Sequence, residues 1–138
     1  MFNQTTISTY CEALLHARET SDLIAHNCLS LMDIARVDHS QTEWYVSDDM
    51  ASGFGVTYTG ELVGVFSLVR GRGALLVQTA IRRGAERLDC FDGFLVSLYE
   101  SNGFEETHRE PNWTAGQPDV VFMALADTLP VPYSITEV

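Results

Sequence analysis

The chain has 138 residues, 46% hydrophobic and 20% charged, a composition typical of one globular domain with a sizeable core. The formal net charge of −11 disfavours nonspecific binding to nucleic acid or to an anionic membrane surface, because both require positive protein surface. It permits a basic partner, although acidic surfaces also serve solubility alone. No apolar run approaches membrane-spanning length and no secretion signal is recognisable at the start, so we expect a cytoplasmic protein.

The cysteine and lysine content bears on disulfides, on metal binding and on self-acylation. Cys11, Cys28 and Cys90 are widely spaced and odd in number, which favours neither a disulfide framework nor a metal site. We therefore expect buried thiols and no metal. All eight Lys and Arg positions are arginine. An enzyme that acylates lysines would thereby escape self-modification, but base composition alone would give the same result.

Two amphipathic helices are predicted at the N-terminus, over Thr5–Arg18 and Ser21–Arg36, because apolar residues recur there at helical spacing. Ser21 is a good N-cap for the second helix. His16 and His26 lie in these helices without cysteine or carboxylate ligands at metal spacing. Surface or capping roles are therefore favoured over metal binding for both histidines.

An antiparallel meander of three strands is predicted next. An acidic turn at Asp48 and Asp49 follows the first strand, and Thr59-Gly60 is a hairpin signal before the last. That last strand is apolar and β-branched, which indicates burial on both faces. The three predicted strands are Glu43–Ser47, Gly53–Tyr58 and Glu61–Val69.

A glycine-arginine loop, Arg70-Gly71-Arg72-Gly73, joins this strand to a predicted helix over Ala74–Arg83. Such a turn presents backbone N–H groups at the positive end of a helix dipole, which is an anion site. Five of the eight arginines lie between residues 70 and 87, against the acidic trend of the chain. The pattern favours a phosphate-bearing ligand; a tight turn with a solvated helix face is the alternative.

The remaining sequence predicts a strand, a short helix and a long-looped hairpin. The loop carries Trp113, which serves either as a lid that packs over the core or as a ligand contact. Residues 127–138 read as an extended tail that docks on the body or on a second copy, so a homodimer is one expected state. The predicted elements are a strand at Arg87–Phe91, a helix at Phe94–Asn102 ended by Gly103, and strands at Glu105–Arg109 and Asp119–Leu125.

Two motifs resemble the GNAT superfamily of acyl-CoA-dependent N-acyltransferases. Gly71-Arg72-Gly73-Ala74-Leu75-Leu76 resembles the GxGxxLL portion of its pyrophosphate loop. Leu98-Tyr99-Glu100-Ser101-Asn102-Gly103-Phe104 resembles its (F/L)YxxxGF segment. Their order and separation, by one helix and one strand, make the pair fairly specific over roughly Gly53 to Leu125. The compact arrangement is also similar to small GNAT-like proteins encoded by bacteriophages.

The resemblance implies one α/β GNAT-like domain, with a mixed, mostly antiparallel sheet of about six strands flanked by helices. A V-shaped opening is expected beside the loop. Residues 1–36 would be the N-terminal helices, 43–125 the sheet and acyl-CoA-type core, and 127–138 the tail. The sequence departs from the superfamily pattern at Leu68, where Gln or Arg is usual, and in its short approach to the loop.

The implied activity is direct transfer of an acetyl group from acetyl-CoA to an amine, on a small molecule or a basic protein. A backbone N–H of the Glu61–Val69 strand would take the developing oxyanion, and Tyr99 would protonate the leaving thiolate. The base stays open among Glu61, Asp89 and Asp92. A nucleophilic Cys90 is disfavoured, because direct transfer needs none. The cofactor-binding positions implied are Phe66, Ser67, Leu68, Arg70, Gly71, Arg72, Gly73 and Ala74.

A second hypothesis comes from another class of protein. The chain would be a GNAT-shaped phage accessory or virion-associated protein that binds a partner and catalyses nothing. The short approach to the loop, the missing leading Gln or Arg and the open choice of base favour this alternative.

Overall fold

The computed structural model describes residues 1–27 and 41–126, which belong to two compact units, Met1–Ala85 and Glu86–Val138. In the first unit, four strands form an antiparallel sheet in the order β1-β2-β3-β4. The predicted meander is thereby confirmed as β2 to β4. The elements of this unit are β1 (Phe2–Thr5), α1 (Ile7–Thr20), α2 (Asp22–Asn27), β2 (Thr42–Ser47), β3 (Ser52–Thr57), β4 (Leu62–Ser67) and α3 (Gly73–Arg82).

The N-terminal strand β1 was not predicted, and it moves the start of the first helix. Only Phe2 of its four residues is buried, so the sequence of this strand lacks the alternation of buried and exposed residues by which a strand is recognised. Thr6 caps α1 by accepting a hydrogen bond from the Thr9 N–H at 3.1 Å. The helix therefore begins at Ile7 rather than at Thr5.

The core of the first unit lies between α1 and the sheet. One face of α1, formed by Tyr10, Ala13, Leu14 and Ala17, is buried together with Trp44, Val46 and Phe66 of the strands. The spacing of the helix residues is that of a single helical stripe. α1 is therefore fixed to the sheet by aromatic and aliphatic packing.

Two glycines of β3 lie where the neighbouring strands leave no room for a side chain. A Cβ at Gly55 would come within 2.6 Å of the Trp44 ring, and one at Gly53 within 2.9 Å of the Tyr45 carbonyl oxygen. β4 differs from its prediction, since it is not buried on both faces. Its even residues from Leu62 to Phe66 are buried, whereas the odd ones are half-buried.

The second unit is an antiparallel sheet of three strands in the order β5-β7-β6 with one short helix. The predicted hairpin of the last two strands is confirmed. Tyr99 of the helix packs edge-on against Phe104, with ring centroids 5.9 Å apart. The elements are β5 (Arg87–Phe91), α4 (Phe94–Glu100), β6 (Phe104–Glu110) and β7 (Val120–Leu125).

The sheet organisation corrects one expectation. Within residues 1–27 and 41–126, seven strands form two wholly antiparallel sheets, instead of one mixed sheet of about six. β1 supplies the extra strand. All five residues of β5 pair with β7, from Arg87 with Ala124 to Phe91 with Val120, so the backbone of β5 is used in an antiparallel ladder. The α/β class with helices flanking antiparallel strands is as predicted.

The second predicted helix begins as expected, since the Ser21 hydroxyl accepts a hydrogen bond from the Ile24 N–H at 3.3 Å. Its predicted continuation from residue 28 to Arg36 lies outside the described residues, as do Cys28 and the tail over 127–138. None of the helices in the described ranges is long and apolar enough to cross a membrane.

Candidate functional site

β4 contains a bulge a few residues before the glycine-arginine loop. Gly53 of β3 pairs with Phe66, and Gly55 pairs with Val63. Phe54 therefore faces two residues of β4, Gly64 and Val65. Gly64 has φ of 61°, which glycine adopts with little strain. The strand predicted to supply an oxyanion contact is thus the one whose hydrogen-bond ladder is locally irregular.

The bulge is held from α1 by a buried hydrogen bond. The Tyr10 hydroxyl donates to the carbonyl oxygen of Gly64. The Tyr10 ring is fully buried and lies 4.4 Å from the Trp44 ring and 5.8 Å from the Phe66 ring, between centroids. Neither Tyr10 nor Gly64 was singled out from the sequence.

The last residues of β4 anchor the start of the loop. Phe66 is buried in the core. The Ser67 hydroxyl lies 2.8 Å from the Ser52 hydroxyl and donates to the Val69 carbonyl at 3.0 Å. The Leu68 N–H donates to the Ala51 carbonyl at 2.8 Å. Phe66, Ser67 and Leu68, three of the predicted cofactor-binding residues, therefore contact other parts of the protein in this structure. Contacts between these residues and a ligand stay a prediction.

The loop itself has the conformation that its glycines predict. Gly71 has φ of 85°, which disfavours any residue with a Cβ, although the space around it is open. α3 begins at Gly73, and no side chain caps it. The N–H groups of its first turn, from Gly73 through Ala74 to Leu75, have no acceptor within the helix. Backbone donors and the helix dipole thus coincide at one exposed point.

Arg72 does not extend from the loop toward solvent. Its guanidinium donates two hydrogen bonds to Asp49, at 3.0 Å to Oδ1 and 2.9 Å to Oδ2. It also donates to the Ser52 hydroxyl at 3.1 Å. Asp49 in turn accepts from the Ser47 hydroxyl at 2.6 Å. The acidic turn after β2 therefore holds the loop in place, and we call this contact the Arg72–Asp49 latch.

The latch has a pH dependence that can be measured. Hydrogen bonds from Arg72, then from Ser47, hold the pKa of Asp49 well below its ordinary value of 3.8. The folded state therefore binds this proton less readily than the unfolded state, so the stabilisation is complete above about pH 4 and is lost as the pH falls further. Asp49 is half exposed, so the contribution is modest.

We expect Asp49→Asn to lower the thermal unfolding midpoint at pH 7 by about 2–5 °C. The difference from wild type should shrink when both proteins are unfolded at about pH 3, because Asp49 of the unfolded wild type is then mostly protonated and part of the stabilisation of the folded state is lost. Circular dichroism melts at both pH values measure this. Glu12→Gln, which removes an exposed carboxylate from α1, is the control. Equal midpoints at pH 7 would show that the latch contributes nothing.

The remaining arginines near the loop differ in what they contact. Arg83 lies over the Tyr45 ring, 5.4 Å from its centroid, and Arg82 donates to the Thr79 hydroxyl at 3.3 Å. The Arg70 side chain is exposed and has no hydrogen bond or ion pair within the described parts of the chain. Of the two loop arginines, Arg70 is therefore the one whose guanidinium is available to an anion.

The predicted acid and one of the predicted bases lie in fixed positions of the second unit. Tyr99 is 4% exposed and packs on Phe104. Asp92 accepts a hydrogen bond from Arg109 at 2.9 Å, which ties its carboxylate to β6. Asp89 is exposed as a residue, yet desolvation of its carboxyl raises the pKa, which makes its carboxylate a stronger base. The choice of base among Glu61, Asp89 and Asp92 stays a prediction.

Several other expectations concern side chains outside these positions. Burial, assisted by Asp89 and Asp92, raises the pKa of Cys90 to about 11, so its thiol is protonated at neutral pH and is a poor nucleophile. His16 is exposed, and the side chain of His26 lies outside the described residues.

Trp113 is 85% exposed and thus does not pack over the core. Across the described ranges, no group of three potential ligands is placed to hold a metal.

Solved N-acetyltransferases have the same fold. The ribosomal-protein-S18-alanine N-acetyltransferase from Escherichia coli gives a TM-score of 0.62 at 19% sequence identity, over 91% of this chain and 93% of that one. A provisionally assigned N-acetyltransferase from Lactobacillus plantarum gives 0.60 at 16%, over 91% and 97%. An acetyltransferase from Bacillus subtilis in complex with CoA gives 0.51 at 16%, over 90% and 96%.

Neither a family model nor a curated protein sequence matches the chain. At identities below a fifth, the structural likeness establishes the GNAT fold, and the match is long enough to include both units. The activity is a separate question, because one fold supports several functions.

Proposed function

We propose that the protein is an acetyl-CoA-dependent N-acetyltransferase. One observation carries the proposal: a glycine loop and an uncapped helix N-terminus directly follow a bulged strand. Solved N-acetyltransferases of the same fold, one of them in complex with CoA, add support. The N–H groups from Gly73 to Leu75, which have no acceptor within the helix, suit a pyrophosphate, and Arg70 adds a positive charge.

Acetyl-CoA, when bound, supplies an acetyl group activated as a thioester. The chain's own groups would bind and polarise it. Backbone N–H groups at the β4 bulge would bind the carbonyl oxygen as negative charge develops there. As the amine nitrogen bonds to the carbonyl carbon and the C–S bond breaks, one of the candidate carboxylates, Glu61, Asp89 or Asp92, would accept the amine proton, and Tyr99 would donate a proton to the thiolate sulfur. Tyr99 holds this role on the resemblance of its motif.

The acceptor proposed is a small amine or a basic protein. A formal charge of −11 attracts cationic acceptors and raises their local concentration. The absence of lysine from the sequence fits an enzyme that would otherwise acylate its own side chains. The identity of the acceptor depends on side chains that vary among proteins of this fold.

Isothermal titration with acetyl-CoA, and with CoA in parallel, tests the proposal. We expect dissociation constants in the micromolar range for both, since the pyrophosphate contacts are common to them. A screen of amines and basic peptides for acetyl transfer would then follow. No binding up to millimolar concentration would overturn the proposal.

The alternative of a partner-binding protein without activity, of the kind phages encode as accessory or virion-associated proteins, has one observation in its favour. The guanidinium of Arg72, which the resemblance places in the pyrophosphate loop, is held by Asp49. A loop fixed in this way would persist in a protein that has lost its cofactor. Copurification with a partner in the absence of CoA would support this alternative.

A further inference from the structure

We infer that Tyr10 is a positioning residue for the thioester: its hydroxyl fixes the bulge of β4 and so aims the backbone N–H that polarises the carbonyl. The inference rests on the proposed function. Tyr10 itself touches no reacting group. It acts through the carbonyl oxygen of Gly64, to which its hydroxyl donates a hydrogen bond.

The rigidity of the peptide unit connects the two ends of this arrangement. The carbonyl of Gly64 and the N–H of Val65 belong to one planar peptide, and a trans peptide directs them oppositely. No cis peptide occurs in the described residues. When Tyr10 holds the carbonyl toward the core, the N–H of Val65 is turned away from the core. The Tyr10 hydroxyl thus sets the direction of the Val65 N–H. This holds for any acceptor that the N–H has in the absence of substrate.

A bulge needs such an anchor more than a regular strand does. The hydrogen-bond ladder between β3 and β4 is interrupted between Gly53 and Gly55, and Gly64 is buried. A buried carbonyl without a partner is costly, and a glycine peptide rotates more readily than others. The Tyr10 hydroxyl satisfies the carbonyl and removes that freedom.

Tyr10 is itself held too firmly to move with the bulge. Its ring is fully buried and packed against the rings of Trp44 and Phe66. Its helix is fixed by the buried side chains of Leu14 and Ala17. The hydroxyl therefore has a defined position, and Tyr10→Phe removes it while keeping the ring.

The test compares Tyr10→Phe with Tyr45→Phe. Tyr45 is an equally buried tyrosine of the same unit, whose hydroxyl donates to the Glu43 carboxylate at 2.7 Å rather than to a carbonyl of the bulge. Amide hydrogen exchange without ligand reports on the bulge. Titrations with acetyl-CoA and CoA report on thioester recognition, because CoA lacks the acetyl carbonyl but keeps the pyrophosphate.

In Tyr10→Phe we expect about tenfold faster exchange at the Val65 amide and about fivefold weaker binding of acetyl-CoA, with CoA binding unchanged. Tyr45→Phe should change neither. If Tyr10→Phe does not fold, Gly64→Ala serves instead, since a Cβ at φ of 61° disfavours the same peptide orientation. It should weaken acetyl-CoA binding selectively.

Each other outcome is decisive. Unchanged exchange in Tyr10→Phe, or an equal change in Tyr45→Phe, would overturn the role of Tyr10 and leave the proposed function intact. Faster exchange with acetyl-CoA and CoA weakened equally, or not at all, would make Tyr10 merely structural. Wild-type protein that binds neither compound would overturn the proposed function and this inference with it.

Discussion

Gly73→Glu is expected to weaken binding of acetyl-CoA by about 100-fold or more while the protein remains folded. The variant places a carboxylate at the first residue of α3, where the first-turn N–H groups are uncapped. A negative charge there interacts favourably with the helix dipole, so the helix should persist. The same charge opposes a pyrophosphate: two unit charges about 4 Å apart near a protein surface repel by about 4 kcal/mol.

Gln78→Glu is the matched control for this variant. It adds the same charge to the same helix at an exposed position beyond the first turn, where the influence of the helix N-terminus has largely decayed. Titration with acetyl-CoA should give wild-type affinity for Gln78→Glu, and circular dichroism should show both variants folded. Undiminished affinity in Gly73→Glu, or the same loss in both variants, would show that pyrophosphate does not bind at this loop.

The elements that the sequence predicted well are those specified by short-range patterns. β2, β3, β4 and α3 each agree with the prediction to within two residues at either end, because alternating apolar residues and turn signals act over a few positions. The glycine-arginine loop is another such case. Its conformation depends on Gly71, whose positive φ follows from its lack of a side chain.

The features that the sequence did not predict depend on distant contacts. Arg72 and Asp49 are 23 positions apart, and nothing local shows that the acidic turn would reach the loop. Tyr10 and Gly64 are 54 positions apart, although a lone glycine in an apolar strand pattern is a known signal for a bulge. Pairing of β5 with β7 likewise depends on tertiary structure. The candidate site therefore combines a predictable loop with anchors that only the fold shows.

Tyr99→Phe is expected to reduce acetyl transfer by about 100-fold or more without weakening the binding of acetyl-CoA. Phenylalanine retains the ring that packs on Phe104, and circular dichroism should show the variant folded. Only the hydroxyl, the proposed proton donor to the thiolate, is lost.

This variant also separates the two hypotheses, because a binding protein has no use for a proton donor. The rate is measured as thiol release with the amine or basic peptide found by screening, and Tyr45→Phe controls for loss of a buried hydroxyl. Full activity in Tyr99→Phe would assign the acid to another group. A partner that remains bound to Tyr99→Phe in the absence of CoA, in a protein that releases no thiol with any amine, would instead identify a GNAT fold used for binding alone.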